Sequence, residues 1–299
     1  MRTLRLLFLL LALAGAWSGA MAQPDALVNA NRKYQEGDLD GARALLDQAV
    51  KSPEHASTPE AWVLRGFVYK DLYKKAPAAP DAGTLRDEAM ASLYMSTELD
   101  TAKEFSQSSI QAYDFLAKTL YNDAARALNE LDHDKALTLY GKYRTAILRL
   151  DPKRDLRERD IEFNNALGTV YTKQFNQDRN KLDRFDKAVE TYKRVLELDS
   201  ANYGANYNLA TLYYNRGVYN IQRISSENDI PSLQHIQEAS REFFMDALPY
   251  MLKAFEMNPG RKETLLGLEG IYYSLQDEKK SEHYRQLYEQ LEQEPQPEK

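Results

Sequence analysis

The sequence predicts an all-α protein, an α-solenoid of about six helical hairpins with inserted or extended segments between some paired helices. The main observation is a pattern of a large residue, leucine, a small residue and tyrosine that returns at helical spacing, most legibly in residues 206–214 after 185–199. A second observation is that no cysteine occurs, so no disulfide framework holds the fold. One hairpin cannot hide its apolar face alone, so successive hairpins should stack and leave a concave surface for a partner.

The amino terminus predicts an export signal. Arg2 and Arg5 give a positive start, residues 6–17 are almost purely apolar, and small residues precede Gln23, so residues 1–22 are expected to be cleaved as a signal peptide. The apolar run is well short of the roughly 20 residues that cross a bilayer, so no stable membrane insertion is expected after cleavage. A cysteine-free exported chain fits the bacterial periplasm, with secretion as the alternative.

The charge balance argues against polyanionic partners. The chain has 39 basic and 45 acidic residues, and loss of the two arginines of the signal leaves 37 basic residues and a net charge of −8. Nucleic acid and anionic lipid surfaces would be repelled on average. A locally basic stretch over residues 142–159 has Asp151, Asp155 and Glu158 interleaved, which indicates a solvated surface.

The hairpins are identified by residue size at fixed repeat positions. A first helix needs a large residue, Leu, a small residue and Tyr at positions 4, 7, 8 and 11, and small residues recur where two helices touch most closely. Residues 60–69 supply Trp62, Gly66 and Tyr69 at positions 4, 8 and 11, with the second helix following late, near Ala89. Before them, a degenerate pair opens the mature chain, with small residues in register at Ala30, Gly37, Ala42 and Ala49.

The middle of the chain contains two further hairpins. Residues 107–151 hold one whose second helix, residues 133–150, is about one turn longer than usual. The next is the best-preserved unit, because both of its helices keep the pattern. Its signature residues are Leu167, Gly168, Tyr171, Ala188 and Tyr192.

The last two hairpins follow directly. One begins with Leu209, Ala210 and Tyr213, and its second helix is displaced downstream to residues 247–254. Pro249 predicts a kink or a new start in that helix, because proline has no amide proton to donate. The closing pair runs from residue 262 to about 291, with many polar residues in its final helix, as expected of a cap that faces water. Residues 23–294 are therefore expected to form the solenoid, and residues 295–299 a disordered tail.

With these motifs the chain resembles the tetratricopeptide repeat superfamily over nearly all of residues 23–291. The resemblance implies an adaptor whose concave groove holds a peptide or helix of another protein. The chain departs from the pattern by insertions between paired helices, which are either helix extensions or loops. They cover residues 70–86, 172–184 and 215–242, and Ser232 in the last is the expected cap of a new long helix.

The resemblance also implies where a partner binds. In this superfamily, positions 5, 9 and 12 of each first helix line the groove, and their spacing places them on one helix face. The residues carried over are Val63, Phe67, Lys70, Asn165, Thr169, Thr172, Tyr207, Thr211, Tyr214, Leu266, Gly270 and Tyr273. Tyr207, Tyr214 and Tyr273 fit partner contacts and plain surface equally well, because tyrosine is commonly half-exposed. The tyrosines at position 11 are expected to fill gaps between helices.

One known use of the superfamily does not fit this sequence. A clamp that grips a partner's terminal carboxylate needs Lys at position 5 and Asn at position 9 of an early unit. Asn31 sits at position 9 of the first unit, but Leu27 occupies position 5. A chaperone-tail clamp is therefore not expected.

No motif in the sequence points to an enzyme, a metal or a cofactor. The four histidines are far apart and are expected at the surface, and no His-Glu-x-x-His motif occurs. No phosphate-binding loop and no Gly-x-Ser-x-Gly turn is present. Asp132, His133 and Asp134 are expected to be a loop and a helix start rather than a catalytic group.

Two hypotheses follow. The favoured one is a non-enzymatic scaffold or adaptor of the cell envelope that holds a protein or peptide partner in the concave groove, without cofactor or metal. The alternative is an envelope enzyme or small-ligand receptor that uses the same concave face. This alternative stays open because acidic residues and tyrosines are plentiful. One sequence does not show which of these side chains come together in space to form a site.

Overall fold

The computed structural model describes residues 25–293. The expected signal peptide over residues 1–22 and the expected tail over residues 295–299 lie outside this range. None of the helices within it has both the length and the apolar character needed to cross a bilayer. These helices are α1 (Ala26–Gln35), α2 (Leu39–Ala49), α3 (Pro59–Lys75), α4 (Ala82–Leu99), α5 (Ser106–Asn129), α6 (His133–Leu150), α7 (Arg157–Gln177), α8 (Leu182–Leu198), α9 (Tyr203–Gln222), α10 (Ile230–Met257), α11 (Lys262–Ser274) and α12 (Glu278–Gln293).

The twelve described helices confirm the all-α fold class, and five pairs of consecutive helices pack as hairpins. α1 packs on α2, α3 on α4, α7 on α8, α9 on α10 and α11 on α12. Between hairpins, α2 contacts α3, α8 contacts α9, and α10 contacts α11. Each of these hairpins buries its apolar face against an adjacent hairpin, because a single hairpin cannot cover this face alone.

Contacts divide the chain into two compact units. Unit 1 runs to Tyr121 and includes Thr145–Pro152, and unit 2 comprises Asn122–Arg144 and the residues from Lys153 onward. Helices α1 to α4 belong to unit 1, α7 to α12 belong to unit 2, and α5 and α6 contribute a segment to each. The expectation that residues 23–294 form one solenoid stays a prediction.

The insertions between paired helices are mostly helix extensions. α3, α7 and α9 continue for one or more turns beyond the repeat pattern, to Lys75, Gln177 and Gln222. The helices that follow them also begin early. The connections that are left cover only residues 76–81, 178–181 and 223–229.

Helix α10 starts and continues differently from the sequence prediction. Its cap is Asp229, whose Oδ1 accepts a hydrogen bond from the amide of Ser232 at 2.9 Å. The predicted cap at Ser232 is wrong, because Asp229 precedes the first turn and satisfies its free amide. Pro249 does not start a new helix, and α10 continues through it. Buried Ala247 and Met251 on either side hold the helix in place, although proline removes one amide donor.

The small residues of the repeat lie where paired helices approach most closely, as predicted. A Cβ atom on Gly66 would lie 2.6 Å from the Leu93 side chain, and one on Gly168 would lie 2.6 Å from the Tyr192 ring. Neither position has room for a larger residue. The four tyrosines at position 11 are buried between helices, which confirms their packing role: Tyr69, Tyr171, Tyr213 and Tyr272.

Unit 1 contains a buried charge network. Arg65 is 9% exposed and donates hydrogen bonds to Asp47 at 2.8 Å, Glu88 at 2.8 Å and Ser92 at 2.6 Å. The Tyr69 hydroxyl also donates to Asp47, and burial together with this hydrogen bond raises the pKa of Tyr69 to about 12. A buried guanidinium needs such partners, so the network fixes α2, α3 and α4 relative to one another.

Two of the four histidines depart from the expected surface position. His55 and His133 are 6% and 8% exposed, so the prediction is wrong for both. His235 and His283 are exposed, as predicted. The buried pair was missed because each ring packs against residues that are distant in the sequence.

Candidate partner-binding surface

The first helices of successive hairpins are neighbours in unit 2. α7 contacts α9, and α9 contacts α11. The residues implied to bind a partner lie at i, i+4 and i+7 on these helices, so each helix presents one short row of them. We call this set the first-helix face: Asn165, Thr169, Thr172, Tyr207, Thr211, Tyr214, Leu266, Gly270 and Tyr273.

Helix α7 contributes a polar, half-buried part of the first-helix face. Asn165 Nδ2 donates to Oδ1 of Asn202 at 3.2 Å, whereas Asn165 Oδ1 is buried with no hydrogen-bond partner in the described part of the chain. The hydroxyls of Thr169 and Thr172 donate to the backbone oxygens of Asn165 at 3.0 Å and Gly168 at 2.8 Å. These groups form an uncharged layer of amides and hydroxyls between α7 and the start of α9.

Helix α9 contributes two tyrosines that neighbouring side chains partly cover. The ring of Tyr207 stacks on that of Tyr203 with centroids 6.0 Å apart, and burial raises the pKa of Tyr207. The ring of Tyr214 lies 5.7 Å from that of Phe244, and its hydroxyl oxygen would lie 2.6 Å from a Cβ atom on Gly270. Gly270 therefore allows α9 and α11 to approach each other at Tyr214. Both tyrosines have packing roles as well as an accessible edge.

Helix α11 contributes the most open side chains of the face. Leu266 is 46% exposed and Tyr273 is 74% exposed, and each lies about one turn from Gly270, the glycine that contacts Tyr214. The side chain of Tyr273 makes no hydrogen bond and no ring contact with any other residue between 25 and 293. Large apolar groups left open beside polar ones are a common feature of interaction surfaces.

The three residues implied in unit 1 are less accessible. Val63 is 5% exposed and belongs to the core, so its side chain offers no surface to a partner. Phe67 and Lys70 are half-buried, and the Lys70 ammonium lies 4.5 Å from the centroid of the Phe67 ring. The helix is covered at Val63 because packing against other helices of unit 1 extends around more of α3 than the repeat pattern suggests.

Sequence reasoning missed the polar contacts that fix the first-helix face. Asn202 caps α9, and its Oδ1 accepts from the amide of Ala205 at 3.0 Å. An Asn before a helical run is a recognised start signal, so this role could have been found. The Tyr203 hydroxyl lies 2.9 Å from Thr264 Oγ1 and joins α9 to α11. No pattern within one helix reveals this second contact, because the two residues lie on different hairpins.

A group of possible metal ligands lies at the start of unit 1. Asp25, Glu54 and His55 bring three ligand-type atoms within 4.8 Å of one another. His55 Nε2 lies 2.9 Å from Asp25 Oδ1 and 3.9 Å from Glu54 Oε2. Zinc accepts these ligand types, and the same arrangement without a metal joins the start of α1 to the α2–α3 connection. Sequence spacing did not reveal it, because Asp25 lies a whole hairpin earlier.

The segment Asp132 to Asp134 has a packing role. His133 Nε2 accepts a hydrogen bond from the Arg184 guanidinium at 2.9 Å, and its ring lies 5.2 Å from that of Tyr171. Burial, followed by the charge of Arg184, lowers the pKa of His133. The hydrogen-bond partners of this imidazole in the range 25–293 are the side chains of Gln174 and Arg184.

No protein-family model and no curated protein matches this chain. Among solved structures, a crystal structure of MamA is similar at 14% identity, covering 88% of this chain and 94% of that chain, with a TM-score of 0.29. A human IFIT1 dimer with m7Gppp-AAAA is 12% identical, covering 84% of this chain and 46% of that chain, with a TM-score of 0.37. Identities and TM-scores this low do not assign the chain to a family.

Proposed function

We propose that this chain is a non-enzymatic scaffold or adaptor of the cell envelope that holds a peptide or protein partner on the first-helix face. The observation that supports this function is the exposure of Leu266 and Tyr273, at 46% and 74%, beside half-buried tyrosines and amides. Exposed aromatic and aliphatic anchors next to hydrogen-bonding groups are the combination found at binding hot spots. The location in the envelope is supported by the amino-terminal sequence pattern alone.

The chemistry of the face favours a partner segment with apolar side chains and few charges. Tyr273 offers a large ring with only two rotatable bonds, so little conformational entropy is lost when it is covered. No charged residue belongs to the face in unit 2. Binding should therefore depend weakly on salt.

Site-specific photocrosslinking tests this function in intact cells. A photoreactive amino acid replaces Tyr273 in the full chain, and the control places it at Met245 on α10, which is 55% exposed but lies outside the first-helix face. We expect the Tyr273 position to form a defined adduct with a protein in the periplasmic fraction, and the Met245 position to form none.

A double change, Leu266→Ala with Tyr273→Ala, should abolish partner recovery and leave the circular dichroism unchanged. Both side chains are exposed, so their loss costs little folding stability. This pair is a sharper test than Tyr207 and Tyr214, which also pack inside the protein. Equal adducts from the Tyr273 and Met245 positions would refute the proposed surface. Tight binding of a small molecule with no protein adduct would favour the receptor alternative.

A further inference from the structure

Three arginines of unit 2 converge on one aromatic ring. The guanidinium carbons of Arg179, Arg216 and Arg223 lie 5.6, 5.7 and 5.6 Å from the centroid of the Tyr219 ring. The guanidiniums of Arg179 and Arg216 also lie 4.9 and 5.8 Å from the ring centroid of Phe175, which is fully buried. We call the three arginines the arginine cluster.

The helix extensions build this cluster. Arg216, Tyr219 and Arg223 follow one another at i, i+3 and i+7, so they share one side of the extended part of α9. Arg179 lies in the short connection just after the extension of α7. At 3.6 residues per turn, this side of α9 is about half a turn away from Tyr207. The cluster is therefore separate from the first-helix face.

The positive charges of the cluster lack a counterion. Within residues 25–293 none of the three guanidiniums forms an ion pair or a side-chain hydrogen bond, and Nη1 of Arg179 is buried without an acceptor. Burial, together with the charges of Arg223 and Arg179, lowers the pKa of Arg216, although Tyr219 and Asp186 oppose this shift. Buried donors without acceptors and like charges held together are both unfavourable. A bound anion would offset the like charges at half-buried Arg216 and exposed Arg223.

A cavity lies directly beside the cluster. Its volume is about 360 Å³, within the range of small-molecule sites, and Arg223 forms part of its wall. The side chains of Asn220 and His235 also line it, and neither forms a hydrogen bond with another residue of the described chain. Ile236 and Ala239 supply an apolar side. The cavity thus offers hydrogen-bonding and apolar surface next to an unneutralised positive charge.

We propose that the arginine cluster binds the phosphate group of a small phosphorylated molecule and that the rest of this molecule occupies the cavity beside Arg223. A phosphate monoester carries a charge of about −1.5 to −2 at neutral pH, which offsets more of the cluster than one carboxylate does. The guanidinium fork matches the oxygens of phosphate. Long polyanions are disfavoured, because the exported chain is expected to carry a net charge of −8.

Isothermal titration calorimetry of the purified full chain tests the site with orthophosphate and glucose 6-phosphate. Succinate at matched ionic strength is the comparison anion. We expect both phosphates to bind more tightly than succinate, and glucose 6-phosphate to bind more tightly than orthophosphate. Arg216→Gln with Arg223→Gln should weaken both phosphates by at least about tenfold, because charge-assisted hydrogen bonds are lost.

The matched control is Arg194→Gln with Arg241→Gln, which removes the same charge from two exposed arginines of unit 2. This control should bind phosphate as the unchanged protein does. His235→Ala should weaken only glucose 6-phosphate. As a second measurement, phosphate should raise the thermal midpoint of the unchanged protein and of the control, but not of the Arg216 and Arg223 variant.

Three results would overturn the proposal: absence of phosphate binding, equal losses in the two arginine pairs, or binding of succinate as tight as that of phosphate. Preference for orthophosphate over glucose 6-phosphate would refute the role of the cavity. The proposal does not depend on the scaffold function, since the two sites lie on different sides of α9. Crosslinking at Tyr273 should therefore be unchanged in the Arg216 and Arg223 variant.

Discussion

At the scale of single residues, the absence of a side chain decides how closely paired helices approach. A Cβ atom on Gly168 of α7 would lie 2.6 Å from the ring of Tyr192, and that ring is only 1% exposed and has no space to move. Gly141 of α6 has the opposite surroundings, since it is exposed and a Cβ atom there would meet nothing within 4 Å. The same residue type thus serves packing at one position and only weakens the helix at the other.

Substitution of each glycine by alanine should therefore change stability with opposite signs. Gly168→Ala should lower the free energy of unfolding by about 1–3 kcal/mol, because the packed core has to shift. Gly141→Ala should raise it by up to about 1 kcal/mol, because alanine is the better helix former. Urea denaturation followed by circular dichroism measures both changes. Destabilisation of similar size in the two variants would contradict the assigned α7–α8 packing.

At the scale of the helix, the start of an element depends on one side chain. Asp229 precedes α10, the longest helix of the described chain. Its Oδ1 accepts a hydrogen bond from the backbone amide of Ser232 at 2.9 Å. Asp81 occupies the same cap position before α4 but makes no such side-chain hydrogen bond. Both carboxylates lie near the positive end of a helix dipole. A comparison of the two therefore isolates the effect of the hydrogen bond.

Asp229→Ala should fray the first turn of α10, whereas Asp81→Ala should leave the first turn of α4 nearly unchanged. Hydrogen exchange measures this as lost protection at Leu233 and its neighbours. The hydrogen bonds from Ser232 lower the pKa of Asp229, so the cap is fully present above the usual aspartate pKa and is lost only as the pH falls through the lowered value. Equal loss of protection in the two variants would show that the hydrogen bond is unimportant.

At the scale of the whole molecule, stability is assembled from neighbouring hairpins. α11 contacts α9, α10 and α12. The side chain of Met251 in α10 packs directly against Gly267 of α11. Met251 is 1% exposed, so removal of the last hairpin uncovers it together with part of the apolar side of α10. The remaining hairpins keep their own neighbours.

Deletion of residues 262–299 should therefore leave most of the helix content and promote self-association. Circular dichroism should fall roughly in proportion to the residues removed, and light scattering should detect the association through the uncovered face of α10. Complete loss of helicity would contradict stability built from nearest neighbours. A fully helical monomer would show instead that the last hairpin covers no important apolar surface.

The all-α fold class and most of the helices could be predicted from the amino-acid sequence alone. The helix predicted over residues 133–150 is observed as α6, His133–Leu150. Gly66 and Gly168 were placed correctly at close helix contacts, and the position-11 tyrosines were placed correctly in the core. All of these features repeat at the period of one helix or one hairpin, so side-chain size at fixed spacing is enough to reveal them.

Which side chains remain exposed and which charged groups lie close together could be seen only in the folded chain. It separated Tyr273, which is 74% exposed, from Tyr214, which packs on Phe244, although the repeat assigns both the same position. It also showed that the insertions lengthen helices and thereby bring Arg179 beside Arg216 and Arg223. These outcomes depend on contacts between different hairpins, and the spacing of residues along one helix carries no information about its neighbours.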